Sequence, residues 1–525
     1  MTYNGFTKPS ARLVSQEIMA TPNITLHENY TDLVMVWGQY FDHDTDLTPK
    51  TDSLCQERCV QKAPYCFPIF ASNNDSRLAD DGCISLTRST RVCNLEPREQ
   101  LNSVTSYVDA STVYGSTEER AMYLRDLTTD LGHLRTGISV NVYGKVSKTL
   151  LPFKHQMAQG CNRPTMDDTG IPCFFAGDVR ANEHLGLIAI HTVWVREHNR
   201  IADELKLINP HWNGETIYQE ARKIVGALHQ IISFDHWLPK IVGSKGMELL
   251  GSYNGYEPLV EASTVNSFAT AAFRFGHGQI SPTVVRLGAD FNESSDGNLL
   301  LHDAAFCPFR IVNEGSIDPV LRGMFGTALK NMDPAEIMSE EVTESLFKLT
   351  THVAFDLASL NTQRGRDHGL PGYNQWRQFC NLPIADTFDD LANEISNAEL
   401  RQKLQDLYGH PDNIDLFVAG LVEDPWYDSI VGPTFTCLIA HQFRSWRTGD
   451  RYWYQHSGEF TSDQIIELEK HSLARILCDS GDDIQQVQND VFQRAIYPDG
   501  YQSCDQIPSM NLTIAWMDSG DDDCT

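Results

Sequence analysis

The segment from Val34 to Asp46, V-M-V-W-G-Q-Y-F-D-H-D-T-D, constrains the fold more than any other stretch of the chain. Val34, Val36, Trp37 and Phe41 predict a helix with one side in a core, so each polar residue inside it needs a reason to be there. Gln39, Asp42 and His43 stand at offsets of three and four and share one face, whereas Asp44, about 100° further round, points elsewhere. An amide, a carboxylate and an imidazole set together against an apolar wall read as a preorganised site. A core histidine satisfied by its neighbours is the competing reading.

The 525 residues suffice for a large core, and length alone suggests about three domains. No Gly/Ser/Pro-rich linker, low-complexity run or fixed-period repeat divides them, so one large unit is expected. No apolar run is long enough for a membrane span, because His191, Arg196 and Glu197 interrupt the best candidate. A formal charge of -29 argues against nucleic-acid or anionic-membrane partners through bulk electrostatics. Thirteen cysteines together with sequons at Asn23, Asn29, Asn74, Asn292 and Asn511 point to an oxidising, secretory compartment. Met1 is followed by neither a basic n-region nor an apolar h-region, so a signal peptide is expected to be missing or trimmed.

After the opening helix comes a Cys-dense loop with Cys55, Cys59, Cys66, Cys83 and Cys93, read as local disulfides over a zinc site. Thr105-Ser-Tyr107-Val-Asp109-Ala-Ser111 offers hydroxyl, carbonyl and carboxylate oxygens at alternate positions, all ligands of hard cations. Asn182 is the expected N-cap of a long helix through Trp194 and Ile201, with Arg180, Glu183 and His184 on one side. Further helices are expected over residues 221–238, 268–278 and 341–360, around Leu400, Leu404 and Leu407, and through Ile465, Leu468 and Ile476 to Gly481. Strand signals are few and short, so the fold class is mainly α. Glycines flanking His277 would let something planar approach the backbone.

Four polar clusters thus sit on apolar helices: Gln39/Asp42/His43, Arg180/Glu183, Arg274/His277 and Asn361/Arg364. Two histidines on separate helices suggest the two faces of a haem. The residues alone leave haem, a non-haem metal site and a hydrolase open.

W-G-Q-Y-F-D-H-D, L-N-S-V-T-S-Y-V-D-A-S-T-V-Y-G-S, P-C-F-F-A-G-D, R-E-H-N-R-I-A, F-R-F-G-H and N-T-Q-R-G-R-D-H-G-L-P-G-Y-N resemble the animal haem peroxidase family, in that family's order and over almost the whole chain. R-A-N-E-H-L-G-L, N-P-H-W-N-G-E-T-I-Y and F-A-T-A-A-F-R-F-G-H look most like the peroxidase domains of peroxidasins. The resemblance implies one mainly α haem peroxidase domain over residues 1–525, with few short strands, stabilised by disulfides and calcium. Relative to the family it would be incomplete at its N-terminus and without additional modules. Carried onto this chain, His43 would be the distal base, Arg180 the distal arginine, Gln39 part of the halide pocket and His277 the ligand of the haem iron. Asn361 would accept the second ring N–H of His277, and Arg274 and Arg364 would pair with haem propionates. Asp42 and Glu183 would form ester links to haem b. His184 replaces a methionine that some relatives bond to a haem vinyl, so no sulfonium link is expected. Asp44, Thr105, Tyr107 through its carbonyl, Asp109 and Ser111 would bind calcium.

The same resemblance implies disulfides Cys55–Cys66, Cys59–Cys83, Cys161–Cys173, Cys380–Cys437 and Cys478–Cys504. Cys93, Cys307 and Cys524 are left over, Cys524 being a candidate for a disulfide-linked oligomer. The implied function is a secreted enzyme that uses hydrogen peroxide to oxidise bromide, iodide or thiocyanate to hypohalous acids, and phenolic donors by one-electron steps. An extracellular-matrix protein is the implied target. Two rivals remain: a catalytically silent matrix or adhesion module, which would not need His43, Arg180, His277 and Asn361 together, and a haem fatty-acid dioxygenase, which would need a radical-forming tyrosine beside the haem. Tyr373 is one candidate for that tyrosine.

Overall fold

The computed structural model describes residues 2–50, 55, 64–71, 75, 77–78, 82–142, 144–154, 170–351 and 353–518. The fold is mainly helical, and the described strands form only two-stranded sheets, seven of them. Helices are built around a continuous apolar core that includes the fully buried Trp37, Trp194, Trp237, Trp446 and Tyr40.

The expected first helix spans Leu33–Thr45. Its Val34, Trp37, Tyr40 and Phe41 are wholly buried, as the apolar spacing requires. Gly38 stands where a Cβ would meet Trp237 Cζ2 at 2.9 Å, so the close packing of that tryptophan needs a glycine. Trp237 ends a stretch of wider, π-type turns at Ile232–Trp237 between helices Gly214–Ile231 and Leu238–Leu250. Its Nε1 donates to Val34 O at 2.8 Å, pinning the first helix to this bend. The helix expected over 221–238 is therefore the middle of a longer, interrupted run. Pro433–Gly449 packs along Leu238–Leu250, and Leu185–Ile208 along Gly214–Ile231.

Several expected elements differ. The long helix Leu185–Ile208 is capped by His184, whose Nδ1 accepts from Gly186 N at 3.1 Å. Asn182, the expected cap, instead uses both ends of its amide on Phe174, accepting from its N–H and donating to its carbonyl. Residues 268–278 split into a helix at Asn266–Thr270 and a tighter 3₁₀ run at Ala272–Gln279. The 341–360 helix is replaced by Glu340–Thr343 and, after an irregular stretch, Leu357–Asp367. There Asp356 accepts from Ser359 N at 3.0 Å, a side-chain cap that starts a new helix. Ile465, Leu468 and Ile476 lie on two helices, Ser462–Lys470 and Leu473–Ser480, because Ser472 caps a fresh start.

Disulfides Cys55–Cys66, Cys380–Cys437 and Cys478–Cys504 are formed. Cys55 is thereby not a zinc ligand. The pairings of Cys59 and Cys161, and Cys524 itself, lie outside the described residues. Cys93 carries an exposed free thiol, and Cys307 Sγ is buried 3.4 Å from Asp303 O. No described helix is long and apolar enough to cross a membrane.

Candidate active site

Gln39, Asp42, His43, Arg180, Glu183, Arg274, His277, Asn361 and Arg364 come from four separate segments and line one cavity of about 370 Å³. Asp44 does not line it, as the helix geometry requires.

On the first helix His43 is buried, and burial pushes its imidazole well below the usual range, with Arg180 adding to the effect. The ring is therefore neutral. Its Nδ1 has no hydrogen-bond partner; Asp178 Oδ1 is 3.7 Å away, too far for a direct bond. Arg180 is fixed by two bonds to Asp178, Nε to Oδ1 at 2.9 Å and a terminal nitrogen to Oδ2 at 2.8 Å. It also donates to the carbonyls of Asp46 at 2.8 Å and His43 at 3.1 Å. Burial alone would raise the Asp178 carboxyl, but the charge and hydrogen bonds of Arg180 hold it well below the usual carboxylate range. Asp178 is thus the charged partner that orients the guanidinium. The sequence reading missed it, although a carboxylate two residues before Arg180 was the available signal.

Burial pushes Asp42 up to about 8, with Asp46 adding to it, and Glu183 up to about 7. His184 accepts from Gly186 N through Nδ1, so its Nε2 carries the proton and donates to Gln39 Oε1 at 2.8 Å. The position that offers no thioether therefore caps a helix and orients the Gln39 amide.

His277 is pushed down to about 3 by burial and by Arg274. Asn361 Nδ2 lies 2.6 Å from His277 Nδ1, and Asn361 Oδ1 accepts from Arg274 at 2.7 Å. In this orientation the amide donates to the ring, whereas the sequence reading had it accepting; Arg274 claims the oxygen. A Cβ on Gly276 would meet nothing within 4 Å, while one on Gly278 would press on Met332 and the Ile337 carbonyl. Only the first glycine opens onto free space. Lys330, which no sequence signal marked, is wholly buried and donates to the carbonyls of Gly278, Asn331, Glu336 and Ile337, fixing the backbone beside His277. Arg364 donates to Thr87 O at 2.9 Å, Ser89 Oγ at 3.1 Å and Asp367 Oδ2 at 2.9 Å.

Below the cavity, Asp44 accepts from Ser111 Oγ at 2.9 Å and from the N–H groups of Thr112 and Ala110 at 3.2 Å. Asp109 Oδ1 accepts from Thr105 Oγ1 at 3.0 Å and Ser111 N at 3.1 Å. Ala110, with φ 59°, bends the loop toward the end of the helix. Tyr107 is 44% exposed. Burial raises Asp44 to about 8 and Asp109 to about 6, each other's charge being a further cause for Asp44. A buried and a half-buried carboxylate beside the hydroxyls of Thr105 and Ser111 suit a hard cation.

These shifts set a pH dependence. Asp42 and Asp44 are raised by burial to about 8 and Glu183 to about 7, while burial holds His184, His191 and His198 at about 4 and His229 and His277 at about 3. Without cation or cofactor the folded protein thus binds fewer protons than the unfolded chain through the histidine range and more only above it, from about pH 7 to 8. Its stability is therefore expected to fall as pH rises through that window. Denaturant midpoints measured across it in chelator should show the fall; a midpoint that rises with pH would refute it.

The residues present fit a haem: the His43 ring, the carboxyls of Asp42 and Glu183, the His277 ring held by Asn361, and Gly276, whose missing side chain leaves open space, all line the same cavity. Comparison with known proteins agrees. The animal haem peroxidase family matches residues 1–492. A human peroxidasin homolog is 48% identical over 99% of this chain and 36% of its own length, so the chain spans about a third of that relative. Peroxidase A from Dictyostelium discoideum superposes with a TM-score of 0.80 at 28% identity, covering 93% of this chain and 92% of that one. A fatty acid alpha-dioxygenase from Oryza sativa shares the fold, with a TM-score of 0.73 at 16% identity over 93% of this chain and 81% of its own. The chain belongs to the animal haem peroxidase family.

Proposed function

We propose that the protein is a secreted haem peroxidase that uses hydrogen peroxide to oxidise bromide, iodide or thiocyanate, and phenolic donors by single electrons, with an extracellular-matrix protein as target. The observation that carries this reading is the joint presence of His43, Arg180, His277 and Asn361 around one cavity with the carboxyls of Asp42 and Glu183. No tyrosine lines that cavity among the described residues, and Tyr373 is buried elsewhere against Glu423, which favours peroxidase over dioxygenase.

Haem b, held by His277 and by Asp42 and Glu183, would supply the redox chemistry. His43, neutral and desolvated, takes a proton from the peroxide and returns it to the departing oxygen. Arg180, anchored on Asp178, steadies the charge that develops as the O–O bond breaks. A His277 ring that gives up Nε2 carries its proton on Nδ1 and needs Asn361 as acceptor. Arg274 competes for that oxygen, and pairing of Arg274 with a haem propionate would free it. Gln39, oriented by His184, presents its amide to a halide. Asp44, Thr105, Tyr107, Asp109 and Ser111 would hold calcium, adding to the hydrogen bonds that already join the first helix to the 105–111 loop, and the disulfides support a secretory setting.

The test uses haem-loaded protein treated with hydrogen peroxide. The haem is expected to resist acidic organic extraction, with adducts mapping to Asp42 and Glu183; Asp42→Ala should leave one link and the double substitution none. Bromide turnover measured alongside reads the activity. Freely extractable haem after prolonged treatment sinks the ester assignment, and a colourless protein sinks the peroxidase reading itself.

A further inference from the structure

Behind the first helix, away from the cavity, lies a buried cluster of oxidisable rings that the reaction described above does not use. Tyr40 follows Gln39 and precedes His43 by three residues, about 4.5 Å along the helix axis, yet it points into the core and is fully buried. Its hydroxyl stands 3.1 Å from His229 Nε2. His229 Nδ1 lies 2.8 Å from Val225 O, a group that can only accept, so Nδ1 carries the proton and Nε2 offers its lone pair to the phenol. Beyond His229 stands Trp194, with ring centroids 3.9 Å apart, and Trp37 is 6.1 Å from Trp194. The same device recurs nearby: Tyr114 donates to His198 Nδ1 at 2.8 Å, and His198 Nε2 is committed to Gly132 O at 3.0 Å.

Phenylalanine would fill this place in the core without a polar group to satisfy. A tyrosine whose proton already points at a neutral imidazole adds one capability: as it loses an electron it can pass its proton along an existing hydrogen bond, so that the positive charge rests on the His229 ring and the phenol oxygen is left neutral. We infer that Tyr40 is an internal one-electron donor to the active site, passing its proton to His229 as it is oxidised, an inference that rests on the peroxidase reading. In this step the site that hydrogen peroxide has oxidised gains one electron from Tyr40. The phenolic O–H bond breaks, its proton forms an N–H bond at His229 Nε2, and a neutral tyrosyl radical and an imidazolium remain. Trp194 or Trp37 can then give an electron to the Tyr40 oxygen as His229 returns the proton, which restores the phenol and the neutral imidazole and leaves the oxidising equivalent on the indole as a radical cation. Burial supports the arrangement at both ends: it holds the Tyr40 phenol well above its usual range and His229 down to about 3, so the proton stays on the phenol until the electron leaves. The cluster would spare Gln39, His43 and the cofactor when peroxide arrives and no external donor is bound.

The experiment is freeze-quench electron paramagnetic resonance of haem-loaded protein mixed with one equivalent of hydrogen peroxide and no donor. A narrow radical signal is expected, its hyperfine structure collapsing when the protein contains ring-deuterated tyrosine. Tyr40→Phe should remove at least half of the signal, while Tyr114→Phe leaves most of it. Absorption spectra and thermal midpoints verify that both variants fold and hold haem, and His229→Gln, which accepts a hydrogen bond but cannot keep the proton, should shorten the lifetime of the signal. A signal of full size in Tyr40→Phe, or one indifferent to tyrosine deuteration, overturns the inference. Protein that consumes peroxide without any tyrosyl signal overturns it while leaving the peroxidase reading intact; protein that takes up no haem overturns both.

Discussion

Haem-loaded His43→Ala protein is expected to react with hydrogen peroxide about 10²- to 10⁴-fold more slowly than the parent, with its absorption spectrum and thermal midpoint nearly unchanged. The reason lies in how little else depends on this ring. His43 Nδ1 has no hydrogen-bond partner, and Arg180 reaches the backbone carbonyl of His43, which alanine retains. Arg180 stays anchored on Asp178 in the variant, so charge stabilisation survives while proton transfer is lost. Stopped-flow mixing reads the rate directly. An unchanged rate would mean that another group moves the proton, and a collapse of the haem spectrum would mean that His43 has a structural role that its contacts do not reveal. Arg180 cannot be tested so cleanly, since its removal leaves the depressed Asp178 carboxylate buried and unpaired.

The side-chain pattern of the first helix was legible because two periodicities coincide there: the apolar residues define a buried side, and Gln39, Asp42 and His43 fall on the remaining face, toward the cavity. The oxygen-rich 105–111 segment was legible for a similar reason, since alternate oxygens meet at Asp44 and Asp109. What escaped the sequence is long-range. Asp178 takes on meaning only when Arg180 folds back on it, and Lys330 only when four carbonyls from two segments close around it. The 341–360 stretch has helix-forming residues, yet Asp356 starts a new helix there because its carboxylate is also the partner of Arg12, some 340 positions away in sequence. His184 displaced Asn182 as a helix cap because Phe174 occupies the Asn182 amide, a contact that local spacing does not encode.

Arg12→Met is expected to cost about 3–5 kcal/mol of stability and to weaken haem retention, although residue 12 is nowhere near the cavity lining. Arg12 is 1% exposed and carries three carboxylates: Asp75 at 2.7 Å, Asp356 at 2.7 Å and Glu344 at 2.8 Å. Methionine fills most of the volume but leaves Asp75 and Asp356, both buried, without their counter-charge. Asp356 is the cap of Leu357–Asp367, the helix that carries Asn361 and Arg364, so the strain enters the His277 side of the site directly. Denaturant unfolding reads the stability, and the rate of haem transfer to an excess of apomyoglobin reads retention. The coupling has its own check: Asp75→Asn in the Arg12→Met background should recover part of the loss, because it removes one of the stranded charges. A loss below about 1 kcal/mol, the scale of exposed pairs, or an unchanged rate of haem release in a clearly destabilised variant, would show that the N-terminal segment does not brace the His277 side of the cavity.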